Sequence, residues 1–167
     1  MTSMTVRKLE NDDWPAVWRL MEPVIRAGET YPYAMNMTVD EARHMWLDVT
    51  EAAYVAEDER SNILGTCYIK PNQPKLGAHV ANCGYMVAES ARGKGVASMM
   101  CEHSQKEAVR LGYRAMQFNL VVTTNEASVH LWKKLGFHVV GTLPGAFNHA
   151  VHGFVDAYIM YKVLVDE

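Results

Sequence analysis

No stretch of this sequence comes near the roughly 18 consecutive apolar residues that a membrane-spanning helix needs, and residues 1–10 hold no apolar core of the kind a secretion signal carries. No membrane role is expected, and the cytoplasm is the expected location. A dominant sign of charge is also missing. Sixteen Lys and Arg stand against 19 Asp and Glu, the net charge is −3, and the basic residues are scattered and form no stripe. Nucleic acid is therefore not an expected partner. Cysteine is scarce: Cys67, Cys83 and Cys101 are odd in number and widely spaced, which reads as buried reduced thiols and not as a disulfide frame. The seven histidines show no ligand spacing, and even the close pair His149 and His152 points to no metal site. Repeats, low-complexity segments and domain linkers are likewise lacking, so residues 1–167 are expected to form a single domain.

What the chain does have is enough apolar material, 49% of its residues, to cover a sheet with helices. Residues 4–9 alternate as a first strand. Asn11-Asp12-Asp13-Trp14-Pro15 opens a helix in which Pro23 predicts a bend or break. A loop with two aromatics, Gly28-Glu29-Thr30-Tyr31-Pro32-Tyr33, follows. Thr38-Val39-Asp40-Glu41 has capping-box spacing ahead of a second helix with Ala42, Met45, Trp46 and Val49 on its apolar face. The period then becomes that of strands at residues 54–56, 63–69 and 79–87. A glycine-rich turn leads into a helix that Gly112 stops. Residues 115–122 form a strand, Asn125 opens a helix ending at Gly136, and residues 137–141 and 155–163 are the last strands, joined by a Pro/Gly/His loop. This order predicts an α/β domain with a mixed sheet covered by helices on both faces.

The turn Arg92-Gly93-Lys94-Gly95-Val96-Ala97 lies between a strand and a helix. Glycines there let backbone N–H groups approach an anion closely, and the helix N-terminus adds partial positive charge. Arg92 and Lys94 add full charges, so the turn is a candidate pyrophosphate cradle. A dinucleotide-binding unit would need an acidic residue after the next strand, and Val121-Val122-Thr123-Thr124 offers none. A triphosphatase loop would need Ser or Thr after the lysine, where Gly95 stands.

Arg92, Gly95 and Ala97, then Asn125-Glu126-Ala127-Ser128, then Leu131-Trp132-Lys133-Lys134-Leu135-Gly136-Phe137, resemble the motifs of the GNAT superfamily of acetyl-CoA-dependent N-acetyltransferases. The resemblance implies a mixed, mostly antiparallel sheet with one splayed parallel pair, formed by residues 79–87 and 115–122. It implies that the pantetheine arm of acetyl-CoA, the expected co-substrate, lies in the splay. The arm would pair with backbone at Tyr85, Met86 and Val87, and the pyrophosphate would rest on Arg92, Gly93, Lys94, Gly95, Val96, Ala97 and Ser98. Asn125, Ser128 and Trp132 would lie beside the arm. Trp132 stands where the family often has a tyrosine that protonates the leaving thiolate, and an indole cannot fill that role. Tyr85 and Tyr158 are the weaker substitutes.

Gly28-Glu29-Thr30-Tyr31-Pro32, Leu64-Gly65-Thr66-Cys67-Tyr68-Ile69-Lys70-Pro71-Asn72, Phe118-Asn119-Leu120-Val121 and Val155-Asp156-Ala157 further resemble fungal N-acetyltransferases that detoxify the proline analogue azetidine-2-carboxylate. That likeness implies a small amino-acid-like amine as acceptor, with Asn82 and Asn119 as the catalytic and acceptor-binding amides and Tyr31 and Tyr33 in a lid. Read alone, Asn82 and Asn119 interrupt apolar strands expected at the sheet centre, where a buried amide without partners costs about 1–3 kcal/mol. A neighbouring strand or a buried water could equally satisfy them. The family's usual glutamate on this strand is missing, so the amine is expected to lose its proton through ordered water with backbone carbonyls, His79 being a weak candidate base. Attack is expected to be direct, since neither Cys83 nor Cys101 sits in a nucleophile arrangement. Two other readings stay open: a peptide, polyamine or antibiotic amine as acceptor, and a non-catalytic module that binds acetyl-CoA. Apolar loop residues permit a homodimer.

Overall fold

Alternation along the strands writes the architecture. The computed structural model describes residues 3–166, so the expected domain of residues 1–167 extends at its ends into residues 1, 2 and 167, which lie outside the described residues. Along the chain run β1 (Met4–Lys8), α1 (Trp14–Ala27), α2 (Val39–Arg43), β2 (Ala52–Asp58), β3 (Ile63–Pro71), β4 (Val80–Val87), α3 (Val96–Arg110), β5 (Ala115–Val122), α4 (Glu126–Lys134), β6 (His138–His149) and β7 (Gly153–Val163). The seven strands make one sheet in the order β1-β2-β3-β4-β5-β7-β6. Every neighbouring pair is antiparallel except β4 and β5, which are parallel. This is the α/β mixed sheet with a single parallel pair that the motifs led one to expect.

Successive side chains of a strand point to opposite faces, so each central strand feeds two cores. Tyr54, Cys67, Ile69, Ala81, Cys83, Tyr85, Met116 and Phe118 pack under α3 and α4 with Val96, Met100, Cys101 and Trp132. Ala53, Val55, Tyr68 and Met86 pack on the other face with Val17, Met21 and Ile25 of α1 and Trp46. Thr38 caps α2 as expected: its Oγ1 accepts from the Glu41 N–H at 3.2 Å and its own N–H donates to Glu41 Oε2 at 2.7 Å. The helix then widens into a π-helical turn, His44–Asp48, which seats Trp46 fully inside with its indole N–H on Thr66 Oγ1 at 2.9 Å.

Two expectations are refined by the structure. Of the bend or break expected at Pro23, the break does not occur, since α1 runs continuously through it. Proline removes only the bond to the Arg19 carbonyl, and the buried stripe Val17, Leu20, Met21 and Ile25 holds the helix on the sheet. The second concerns the chain between residues 142 and 154, expected as a loop. Most of it is strand: β6 and β7 form a long hairpin from His138↔Tyr161 to His149↔Gly153, with register shifts at Val139/Gly141 and Leu143/Phe147. Because β6 is the sheet edge, Pro144 and the bulge need no outer ladder partners.

Candidate active site

The parallel pair β4/β5 is joined only at its beginning, by Val80↔Ala115 and Ala81↔Met116; beyond that the two strands separate. They enclose a wedge that opens toward their C-terminal ends. Across the apex, Asn82 Nδ2 donates to the Gln117 carbonyl at 3.0 Å. On the β3 side, the Val80 carbonyl accepts from Asn72 and the Ala88 N–H donates to Leu64, so even-numbered residues of β4 turn their main chain toward β3. Odd-numbered ones, Cys83, Tyr85 and Val87, turn theirs into the wedge, at intervals of about 7 Å. Met86, expected to pair through its backbone with a cofactor arm, has its main chain committed to β3, leaving Tyr85 and Val87 for that task.

At the open end of the wedge the chain leaves β4, makes one 3-10 turn, Glu89–Ala91, and enters the glycine turn. Arg92, Gly93, Lys94 and Gly95 are all exposed. Gly93 (φ 73°) and Gly95 (φ 81°) adopt left-handed conformations that glycine reaches without strain, and each has open space where a Cβ would stand. Gly95 caps α3 with no side-chain acceptor. The amides of Val96, Ala97 and Ser98 thus begin a 15-residue helix without intrahelical partners, a ready anion site. Asn125, at the end of β5, caps α4 by accepting from the Ser128 N–H at 3.4 Å.

On the α1/α2 face of the wedge a continuous polar circuit of neutral groups runs from Tyr68 to Asn72. Tyr68 Oη donates to Asn82 Oδ1 (3.1 Å), Asn82 donates to the Gln117 carbonyl, Gln117 Nε2 donates to Asn119 Oδ1 (2.9 Å), and Asn119 Nδ2 donates to Asn72 Oδ1 (2.7 Å). Asn82 is buried and is satisfied at both ends of its amide by neighbouring strands. The expectation that Asn119 is a buried central amide is corrected: it is exposed, on the stretch of β5 where the register with β7 shifts between Phe118 and Val121. Gly84, opposite Tyr68 in the ladder, makes the circuit possible, since a Cβ there would lie 2.5 Å from Tyr68 Cε1.

The aromatic loop closes over this face. Tyr31 Oη accepts from the Tyr85 N–H at 2.7 Å and donates to the Tyr85 carbonyl at 2.6 Å, so one hydroxyl occupies both wedge-facing main-chain groups of that residue. Tyr33 stacks on Tyr31 at 5.5 Å, Tyr31 meets Trp46 edge-on at 6.4 Å, and Trp46 meets Tyr68 edge-on at 4.8 Å. Burial pushes the Tyr33 hydroxyl up to about 12 and the Tyr31 and Tyr68 hydroxyls higher, so all three stand as neutral phenols. The loop is also tied to the β6–β7 turn, where the Ala150 N–H donates to the Gly28 carbonyl at 3.0 Å.

Several expected residues lie elsewhere. The Trp132 ring is in the α3/α4 core, 5.1 Å from the rings of both Tyr85 and Phe118. Tyr85 is no acid for a leaving group, because its hydroxyl is buried against Ser104 Oγ at 2.6 Å and burial raises its pKa strongly. Tyr158 is half-buried against the same core. His79 is exposed just before the paired end of β4. Cys67, Cys83 and Cys101 are free and buried, and desolvation raises all three thiols, Cys67 most clearly, which deprives them of nucleophilic thiolate. Among the described residues no group of three His, Cys, Asp or Glu converges as a metal site, and no helix is long and apolar enough to cross a membrane. Sequence reasoning missed Gln117 and the roles of Tyr68, Lys70 and Asn72. Period-2 spacing would have put the last three on one face, but only the register with β4 places that face at the wedge.

A family model described as the acetyltransferase (GNAT) family matches residues 5–137. N-acetyltransferase aca1 of Schizosaccharomyces pombe is 33% identical over 151 residues, covering 81% of this chain and 72% of that protein. A GCN5-related N-acetyltransferase from Kribbella flavida superposes with a TM-score of 0.91 at 42% identity, covering 96% of this chain and 97% of the other. The fold alone is shared with a phosphinothricin acetyltransferase from Sinorhizobium meliloti solved in complex with acetyl-CoA, at a TM-score of 0.85 and 19% identity over 96% and 88% of the two chains.

Proposed function

The chain belongs to the acetyltransferase (GNAT) family, and from that premise we propose that it transfers the acetyl group of acetyl-CoA directly to a small amino-acid-like amine, with azetidine-2-carboxylate as the type of acceptor. The observation that carries this reading is the wedge with the glycine turn at its open end. The cofactor's diphosphate sits on the amides of residues 93–98 beside Arg92 and Lys94. Its arm runs down the wedge past Val87 and Tyr85, with Asn125 beside the arm at the open end, and the thioester points toward the apex. The acceptor enters from the tyrosine face, between the lid residues Tyr31 and Tyr33 and the amides Asn82 and Asn119.

The uncharged amine nitrogen attacks the thioester carbon, the C–S bond breaks, the amine's proton leaves to water, and the thiolate of CoA takes up a proton from solvent. An N–H turned into the wedge, such as that of Tyr85, is suited to hold the oxyanion. Both walls favour this class of acceptor over a polycation, because residues 63–88 and 115–125 contain no Asp or Glu. Reduced thiols fit the cytoplasm as the place of action and detoxification of an amino-acid analogue as the task.

Thiol release from acetyl-CoA tests the assignment. Azetidine-2-carboxylate should stimulate it well above background, with intersecting initial-velocity lines marking a ternary complex. Stimulation by spermidine or a short peptide alone would move the acceptor to another class. Tight acetyl-CoA binding with no turnover on any amine would make the chain a binding module.

A further inference from the structure

Lys70 is the charged side chain that the acceptor face leaves without a counter-ion. On β3 it projects to the same side as Tyr68 and Asn72, the two residues through which β3 joins the polar circuit, and it stands directly opposite Asn82 in the β3/β4 ladder. Its ammonium lies over the Tyr68 ring, 5.5 Å from the centroid. The lysine is half-buried, and among the described residues no carboxylate oxygen comes within 4.0 Å of it. The circuit beside it is made wholly of uncharged amides and a phenol held neutral by burial. A cation bordered by neutral hydrogen-bonding groups, on walls with no acidic residue, sets up an unbalanced positive field that favours an anion.

We propose that Lys70 binds the carboxylate of the acceptor and so selects α-amino acids and their cyclic analogues over plain amines. The inference rests on the acetyltransferase reading above and deepens it. The carboxylate lies against the ammonium, with a free N–H of Asn119 at its edge, while the amine turns toward the apex near Asn82. The cation–π contact keeps the ammonium over Tyr68 when no ligand is present, which limits the ordering cost on binding.

The test compares azetidine-2-carboxylate with azetidine-2-carboxamide, using the wild type, Lys70→Met and Lys70→Arg. The wild type should prefer the acid. Lys70→Met keeps the apolar stem over Tyr68 and should raise KM for the acid about ten- to hundredfold, as loss of a charged hydrogen bond predicts. KM for acetyl-CoA should not move, the carboxamide, which can take only a weaker hydrogen bond from the ammonium, should lose far less than the acid, and Lys70→Arg should recover part of the loss. Equal losses on acid and carboxamide, or none on either, overturn the role. Calorimetry on the CoA-loaded protein reads the same preference without turnover: if the wild type binds the acid no better than the carboxamide, the assignment of Lys70 is wrong even where thiol release shows an active acetyltransferase. A protein that releases no thiol with any amine, yet binds the acid through Lys70, would instead refute the catalytic reading and keep this one.

Discussion

At the scale of single residues, the acceptor face has tyrosines that burial keeps protonated and amides that do not titrate, and neither wall of the wedge carries a carboxylate. The ionisation that governs attack is then the acceptor's own. A protonated amine has no lone pair, so kcat/KM for the acceptor should climb about tenfold per pH unit below the amine's pKa and level off above it. A second inflection that disappears in His79→Ala would reveal a histidine base and refute this expectation. The missing glutamate was plain in the sequence, and so was the oddity of Asn82. Its partners were not, because the Tyr68 hydroxyl and the Gln117 carbonyl reach it from β3 and β5, 14 and 35 positions away. Asn119 was misjudged for a related reason: a hydrophobic run around an amide signals a central strand, but the register shift that exposes this residue depends on how β7 pairs with β5.

At the scale of elements, the loop after α1 matters most. By holding the Tyr85 N–H and carbonyl, Tyr31 satisfies main-chain groups that a bound acyl arm would need for itself. Tyr31→Phe leaves those groups without that partner in the free protein, so it should bind acetyl-CoA several-fold more tightly, since one net hydrogen bond amounts to about 0.5–1.5 kcal/mol. Titration calorimetry measures this directly. Unchanged or weaker binding would mean that the hydroxyl shapes the site and does not compete for it. The loop and its two aromatics were readable in the sequence, with the lid role expected only from the likeness to known acetyltransferases, yet nothing local linked position 31 to position 85. The β6–β7 hairpin was read least well: Pro144 and Gly145 signal a loop in any window of sequence, and only the position of β6 at the sheet edge makes them harmless to a strand.

At the scale of the whole molecule, the strand and helix order and the two-sided covering of the sheet followed from periodicity and caps, since those signals are local and repeated, whereas the splay between residues 79–87 and 115–122 was expected only from the resemblance to the GNAT superfamily. The sheet divides these groups: the glycine turn leads into the helix on the α3/α4 side, while the tyrosines, amides and Lys70 lie on the α1/α2 side. One contact crosses that plan. The same loop that carries Tyr31 offers its Gly28 carbonyl to Ala150 at the turn of the outermost hairpin. If the acyl arm displaces Tyr31, that bond loosens too, and deuterium uptake at the Ala150 amide should quicken when acetyl-CoA is added and stay flat in Tyr31→Phe. The tip of an edge hairpin then serves as a built-in gauge of whether the cleft is filled.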